Sequence, residues 1–172
     1  MRLETERLVL RRWVDKDIEP YVALCADPEV MRYIGYGSTR TREQSIKAIE
    51  GFEHNFDERG YSALCVADRE TDECLGFCGF LVPDFLPEVM PAVEIGWRLS
   101  RASWGRGLAT EAAEACMDWY GNSGFEWNPL VAICHVDNRA SERVMQKVGF
   151  RLWKETREPG ADIPVKVYRY RK

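Results

Sequence analysis

The sequence lacks any apolar run long enough to cross a bilayer. Its longest runs, such as residues 130–134, fall far short of the about 20 residues that a membrane helix needs. A secretory signal is missing as well, because Met1 is followed directly by charged and polar residues. We therefore expect a cytoplasmic protein that binds no membrane.

A basic charge balance is also missing. The chain has 24 Lys and Arg against 28 Asp and Glu, which gives a net charge of −4. Nucleic-acid-binding proteins usually carry a basic patch or stripe, so we expect no nucleic-acid partner. With 45% apolar and 30% charged residues in 172, the composition is typical of one folded domain, which we place over residues 1–172.

The cysteines have no metal-binding or disulfide pattern. No CxxC pair occurs, and the chain has only two histidines, His54 and His135. A zinc site needs closer, matched spacings, so we expect no metal. Most of the cysteines lie among apolar residues, where a reduced thiol behaves as a small hydrophobic group. They are Cys25, Cys65, Cys74, Cys78, Cys116 and Cys134.

The periodicity of the apolar residues predicts an α+β fold. It indicates seven strands, at residues 3–13, 61–67, 74–82, 93–99, 130–136, 150–155 and 165–171. Helices are expected after Asp15, Asp27 and Thr41, which are good N-cap residues, and over residues 107–119 and 139–148. The order favours a mostly antiparallel sheet flanked by helices, with a strand–helix–strand–helix unit in the C-terminal half.

The segment Trp104-Gly105-Arg106-Gly107-Leu108-Ala109-Thr110 joins a predicted strand to an alanine-rich helix. Two glycines allow a tight turn and close approach of a ligand, and the first amides of a helix have no internal partners. A phosphate or pyrophosphate fits such a site, with Arg106 adding charge. The alternative is a tight connection without a ligand. The Rossmann and Walker patterns both fail, since the third glycine and the Gly-Lys-Ser/Thr ending are absent.

From Glu94-Ile95-Gly96-Trp97-Arg98-Leu99 through Ala109-Thr110-Glu111-Ala112, the chain resembles the acetyl-CoA-binding core of the GNAT acetyltransferases. Leu99 takes the first place of the V/I-x-x-x-x-Q/R-x-x-G-x-G/A pattern, and Gly107 and Ala109 take the glycine places. Trp104 departs at the Q/R place, but tryptophan before G-[KR]-G is usual in the RimJ/RimL-type branch. Because the contact is mainly through main-chain amides, we expect the departure to be tolerated.

Two further blocks resemble the same branch. One covers residues 3–11 and 27–30, and the other is the N-x-x-S-x-x-V-x-x-K-x-G-F pattern of residues 138–150. The resemblance implies a GNAT fold and transfer of acetyl from acetyl-CoA to an amine, by direct attack in a ternary complex. It implies coenzyme contacts at Leu99, Gly105, Arg106, Gly107, Leu108, Ala109, Thr110 and Asn138.

The resemblance also assigns roles near the thioester. Asn138 would contact the pantetheine arm, although asparagine before a helix is also a good N-cap. Ser141, one helical turn on, would protonate the departing thiolate or order the water that does so. The alternative for Ser141 is a hydrogen bond back to the cap. We interpret Asn138 as a coenzyme ligand and Ser141 as catalytic.

A base must take a proton from the amine. Glu94 is the first candidate, because a carboxylate partly buried beside a cleft has a raised pKa. An ion pair with an arginine is the alternative for Glu94. His135 and Tyr168 are held in reserve for proton transfer.

The acceptor cannot be identified from the sequence. The aromatic-bearing segments 31–41 and 83–90 are the expected walls of its site, with Tyr33, Tyr36, Phe85 and Leu86 as candidate lining residues. A peptide N-terminus and a small-molecule amine both remain open, and no oligomeric state is predicted. Arg101, Arg139 and Arg143 are further candidates for phosphate contacts. A non-catalytic acyl-CoA-binding sensor is the alternative function, and a nucleotide-binding oxidoreductase is disfavoured by the missing glycine.

Overall fold

A computed structural model describes residues 1–127 and 129–171 of the chain. Eight strands form one sheet in the order β1-β2-β3-β4-β5-β6-β8-β7. The strands are β1 Arg2–Glu4, β2 Leu8–Arg11, β3 Ala63–Asp68, β4 Cys74–Leu81, β5 Val93–Leu99, β6 Leu130–His135, β7 Phe150–Glu158 and β8 Ile163–Tyr170. Neighbouring strands are antiparallel except for β5 and β6, which are parallel. The predicted α+β class is confirmed.

The eighth strand arises where the sequence predicts a single strand over residues 3–13. The chain turns back there, because the Thr5 amide donates to the Leu8 carbonyl at 3.0 Å and the Leu8 amide donates to Thr5 Oγ1 at 2.9 Å. The resulting β1–β2 hairpin pairs Glu4 with Val9. The single strand was therefore a wrong prediction, since a local polar turn interrupts the alternation.

Five α-helices cover the two faces of the sheet. They are α1 Ile18–Ala26, α2 Pro28–Met31, α3 Arg42–Arg59, α4 Leu108–Asn122 and α5 Arg139–Lys147. Helices α1 and α3 pack together over β3 and β4, while α4 and α5 lie on the other face. No helix in the described part of the chain has both the length and the apolar character needed to span a membrane.

Local capping explains where the N-terminal helices begin. Thr41 caps α3 in a capping box with Gln44, and Asp27 accepts from the Glu29 amide at the start of α2, as predicted. Asp15 instead opens a short 3₁₀ turn, Asp15–Asp17, that leads into α1. Asp17 makes no side-chain cap for α1, because its carboxylate accepts from the Val14 amide at 2.9 Å and from Arg11 at 2.7 and 3.0 Å.

The sheet buries a separate apolar cluster against each set of covering elements. The cluster under α4 and α5 includes Ile95, Leu99 and Leu108, and the one under α1 and α3 includes Tyr21 and Phe77. A third cluster joins β6 and β8 to the segment before β5, through Leu86, Val89, Val131, Val165 and Val167. Burial on both faces fixes the register of β5 and β6, which carry the candidate site.

Candidate active site

A gap between β5 and β6 is the central feature of the site. The two strands pair only at Val93 with Leu130 and at Glu94 with Val131. Beyond these positions β5 stays paired with β4 as far as Leu99, and β6 stays paired with β8 as far as His135. The strands therefore diverge, and their facing edges leave main-chain groups available to a ligand.

Glu94 lies at the closed end of this gap. Its residue is 8% exposed, and its carboxyl group accepts a hydrogen bond from the Ile133 amide across the gap. Burial raises the pKa of Glu94 to about 8, although the Ile133 hydrogen bond acts in the opposite direction. No arginine or lysine of the described residues forms an ion pair with Glu94, so the alternative reading as an ion-pair glutamate has no support.

The glycine loop lies between the open end of β5 and α4. Gly105 and Gly107 have φ values of 74° and 79°, which are costly for any other residue. Gly107 is the N-cap of α4 and has no side chain to cap it. Within residues 1–127 and 129–171, no protein acceptor meets the amides of residues 105–110. They form a set of unpaired donors at a helix N-terminus, suited to an anion.

Arg7 and Glu111, whose roles the sequence did not reveal, hold the glycine loop in place. The Arg7 guanidinium donates to the Arg106 carbonyl at 2.9 Å and to Glu111 at 2.7 Å. Glu111 also accepts from Thr5 Oγ1 and from the Arg7 amide. Burial would raise the pKa of Glu111, but these hydrogen bonds hold it below its ordinary value. The sequence signal for this contact was the polar run Thr5-Glu6-Arg7 inside the predicted strand 3–13.

Trp104, which departs from the family pattern, fixes the entry to the loop. Its indole Nε1 donates to the Leu99 carbonyl at 2.9 Å, which ties the end of β5 to the loop. The side chains of Leu99 and Leu108 are buried in the core, at 5% and 2% exposure. Any contact that these two residues make with a ligand must therefore come from their main chains.

Asn138 and Ser141 lie together at the N-terminus of α5. Asn138 Oδ1 accepts from the Ser141 amide at 3.1 Å, so Asn138 is the N-cap of this helix. The Asn138 side-chain NH₂ and the Ser141 hydroxyl have no partner among the described residues. The cap and a ligand contact therefore use different atoms of Asn138 and are compatible.

Glu142 ties α5 to the last strand. Its Oε1 accepts from Lys166 Nζ at 2.8 Å and from the Tyr168 hydroxyl at 2.7 Å, and its Oε2 pairs with Arg139 at 2.9 Å. These hydrogen bonds lower the pKa of Glu142 to about 2. Burial and the Glu142 hydrogen bond raise the pKa of Tyr168 to about 12. The Tyr168 hydroxyl uses its proton in the hydrogen bond to Glu142, which favours a structural role for both residues.

The predicted acceptor walls divide into exposed and buried parts. Tyr33 stacks on His135 with ring centroids 5.4 Å apart, which brings segment 31–41 to the open end of β6. His135 Nδ1 accepts from the Asp137 amide, so this nitrogen is occupied. Tyr36 and Phe85 are exposed, whereas Leu86 is fully buried in the core. Leu86 is therefore a core residue that packs beneath the predicted wall of the acceptor site.

Three potential metal ligands meet away from the gap. The ligand atoms of Asp17, Cys65 and Cys74 lie within 4.8 Å of one another, and all three residues are buried. The ion pair with Arg11 already occupies both oxygens of Asp17. Burial and the neighbouring Cys74 also raise the pKa of Cys65. The cluster is best described as a buried ion pair beside two thiols. All six cysteines are free and buried.

Comparison with known proteins identifies the family to which the chain belongs. The Acetyltransferase (GNAT) domain model matches residues 7–151. The protein YkkB of Bacillus subtilis (strain 168) is 34% identical over 165 residues, covering 95% of this chain and 93% of YkkB. The N-acetyltransferase YoaA of the same strain is 32% identical, with coverage of 87% and 82%. An acetyltransferase structure from Agrobacterium tumefaciens str. C58 is 29% identical with a TM-score of 0.81, covering 100% of this chain and 95% of that one.

The chain therefore belongs to the GNAT acetyltransferase family, and it is an N-acetyltransferase. The fold also matches RimL, the ribosomal L7/L12 alpha-N-protein acetyltransferase in complex with coenzyme A. The TM-score is 0.77 at 21% identity, with 98% of this chain and 97% of that chain covered. The predicted membership of the GNAT acetyltransferases is confirmed.

Proposed function

We propose that residues 1–172 form one cytoplasmic domain that transfers the acetyl group of acetyl-CoA to a primary amine. The acceptor is a peptide N-terminus or a small-molecule amine, and the amine attacks directly in a ternary complex. One observation carries the proposal: unpaired amides at residues 105–110 lie at the open end of the β5–β6 gap, and buried Glu94 lies at its closed end.

The loop supplies the coenzyme site. The amides of Gly105, Arg106, Gly107, Leu108, Ala109 and Thr110 have no protein acceptor, and the positive end of the α4 dipole lies there. A Cβ built on Gly105 would meet nothing within 4 Å, so the approach to the loop is open. The coenzyme A complex of RimL, which has the same fold, supports this assignment. Bound there, acetyl-CoA supplies an activated thioester.

Glu94 takes the proton from the incoming amine. An ammonium group has no free lone pair, so a base must deprotonate it before it attacks. With a pKa of about 8, Glu94 is a stronger base than an exposed carboxylate, which matches it better to this task. Its position on the edge of the gap lets it act directly or through one water.

Ser141 donates a proton to the departing sulfur and regains one from solvent, or it orders the water that protonates the sulfur. Its hydroxyl has no partner among the described residues, and it lies in the first turn of α5. Asn138 is the N-cap of the same helix, and its free side-chain NH₂ donates to the pantetheine arm. Both groups are held in place because Glu142 binds α5 to β8.

Thiol release from acetyl-CoA, measured against a panel of amines and N-terminal peptides, tests the proposal. We expect turnover with at least one acceptor. Ser141→Ala should lower kcat about a hundredfold with little change in KM, as expected for loss of a proton donor. Ser123→Ala, at the far end of α4, is the matched control and should keep wild-type activity. Coenzyme binding without turnover on any acceptor would instead support the sensor.

A further inference from the structure

Arg98 is a cation without a counter-ion among the residues that the structure describes. No carboxylate of residues 1–127 or 129–171 lies within ion-pair distance of it, and its buried Nε has no hydrogen-bond acceptor. Its guanidinium contacts only the Cys25 sulfur, at 3.7 Å from Nη1, and the Phe77 ring, at 5.5 Å from the centroid. The side chain is half-buried, and a bound anion would satisfy its buried Nε, since buried polar groups are normally hydrogen-bonded.

A second unpaired arginine lies close by. Arg40 forms no ion pair with any described residue, and its charge, like that of Arg98, acts on the hydroxyl of Tyr21. Tyr21 is fully buried, and its hydroxyl has no hydrogen-bond partner in the described part of the chain. Burial raises the pKa of Tyr21, and the two arginines oppose this rise. Both arginines also adjoin Cys25, since the Arg40 amide donates to its carbonyl and Arg98 contacts its sulfur, and an anion would stabilise two like charges there.

This cationic place lies on the same face of β5 as Glu94. Side chains alternate along a strand, so Glu94, Gly96 and Arg98 point to one side, and the Cα atoms of Glu94 and Arg98 are roughly 13 Å apart. Gly96 lies between them, and the side chains of Leu81 and Phe77 pack against it. Segment 31–41 passes over this face, because the Arg40 amide donates to the Cys25 carbonyl at 2.9 Å and Tyr33 stacks on His135.

The surface beside Arg40 is also cationic. Arg40 lines an open cavity of about 420 Å³ together with Lys47 and the polar Ser38, Thr39 and Gln44, and none of its lining residues is acidic. The overall net charge of −4 gives no hint of this local reversal.

We propose that Arg98, supported by Arg40, binds a carboxylate on the acceptor, so that the acceptor is an amine that also carries a carboxylate, such as an amino acid or a short peptide. The planar guanidinium matches a carboxylate through two parallel hydrogen bonds. The amine then lies toward Glu94 and the carboxylate toward Arg98. This inference rests on the proposed acetyl transfer and names its substrate class.

Matched substrate pairs test the inference. Acetylation of amino acids and dipeptides is compared with that of their C-terminal amides, in wild type and in Arg98→Gln and Arg98→Lys. We expect wild type to prefer the carboxylate form at least about tenfold in kcat/KM, mainly through KM. Arg98→Gln should abolish the preference while leaving the amide rate unchanged, and Arg98→Lys should keep part of it. Arg151→Gln, an exposed arginine on β7, should behave as wild type.

Two outcomes would overturn the inference while leaving acetyl transfer intact: equal rates for acid and amide, or a loss in Arg98→Gln that is the same for both forms. Weaker coenzyme A binding in Arg98→Gln would also overturn it, by assigning the arginine to the coenzyme. Calorimetry of dipeptide acid and amide with the coenzyme-loaded protein gives a second readout. Absence of both coenzyme binding and turnover would mark failure of the proposed function itself.

Discussion

At the scale of single residues, the proposed chemistry depends on the carboxyl group of Glu94, which is held away from water. The sequence placed Glu94 in a strand before the glycine loop, which made it a candidate base. Its environment could not be predicted, because the Ile133 amide that it contacts lies on β6, almost forty residues on. Arg98 was missed for the same reason: nothing in the sequence shows that it would lack a counter-ion.

The pH dependence of catalysis follows from the Glu94 carboxylate. In the proposed mechanism Glu94 acts as a deprotonated base, so kcat/KM should rise with pH through an apparent pKa near 8. Glu94→Gln should lose this limb and lower kcat about a hundredfold. A pH–rate profile measures both effects. Glu58→Gln, an exposed glutamate on α3, is the control, and an unchanged profile in Glu94→Gln would remove Glu94 as the base.

The pH dependence of stability follows from the same group. Burial raises the folded-state pKa of Glu94 from 4.5 to about 8, so the native state keeps a proton that the unfolded chain releases above pH 4.5. Stability is therefore lost as pH rises from about 4.5 to 8. Glu94→Gln should gain roughly 1–4 kcal/mol relative to wild type across that window. Denaturant unfolding at several pH values measures it, and parallel curves would contradict the assignment.

At the scale of elements, local chemistry predicted most helices and strands. Strand β5 agrees with the predicted 93–99, and Thr41 and Asp27 cap their helices as expected. The exceptions have side-chain causes. Thr5 turns the first strand back on itself, and Arg11 draws Asp17 into an ion pair at the start of α1. Such partners become visible only once distant elements meet.

The N-terminus of α5 offers a test of two roles in one residue. Asn138→Ala removes the cap acceptor and should cost about 1 kcal/mol of stability. Asn138→Asp keeps an acceptor for the Ser141 amide but has no NH₂, so it should retain stability while raising the KM for acetyl-CoA. Thermal unfolding and steady-state kinetics separate the two effects. Wild-type coenzyme kinetics in Asn138→Asp would leave Asn138 as a cap alone.

At the scale of the whole molecule, the gap is a product of topology. Strand β5 stays paired with β4, and β6 stays paired with β8. The two central strands, β5 and β6, therefore pair with each other at only two positions. The sequence predicted the strands and the glycine loop, whose role in coenzyme binding stays a prediction from the family resemblance. It could not show the divergence of β5 and β6 directly, because pairing between distant strands leaves no local pattern.

The reactivity of the cysteines tests the packing of the core. All six thiols are free and buried, and Cys78 and Cys116 are 3.7 Å apart without a disulfide. Burial and the neighbouring Cys116 raise the pKa of Cys78. We therefore expect very slow reaction with a thiol reagent in the native state and six thiols titrated in denaturant. Rapid modification of any thiol in the folded protein would contradict this packing.

Calorimetric titration of coenzyme A tests the central claim most directly, because every proposed step requires the loop amides to hold the diphosphate. Wild type should bind at one saturable site. Gly107→Val should bind at least about tenfold more weakly, since a side chain would obstruct the amides. Gly124→Val changes a glycine of the same φ, 79°, outside the loop and should bind as wild type. Absence of binding to wild type, or equal affinity in Gly107→Val, would contradict the account.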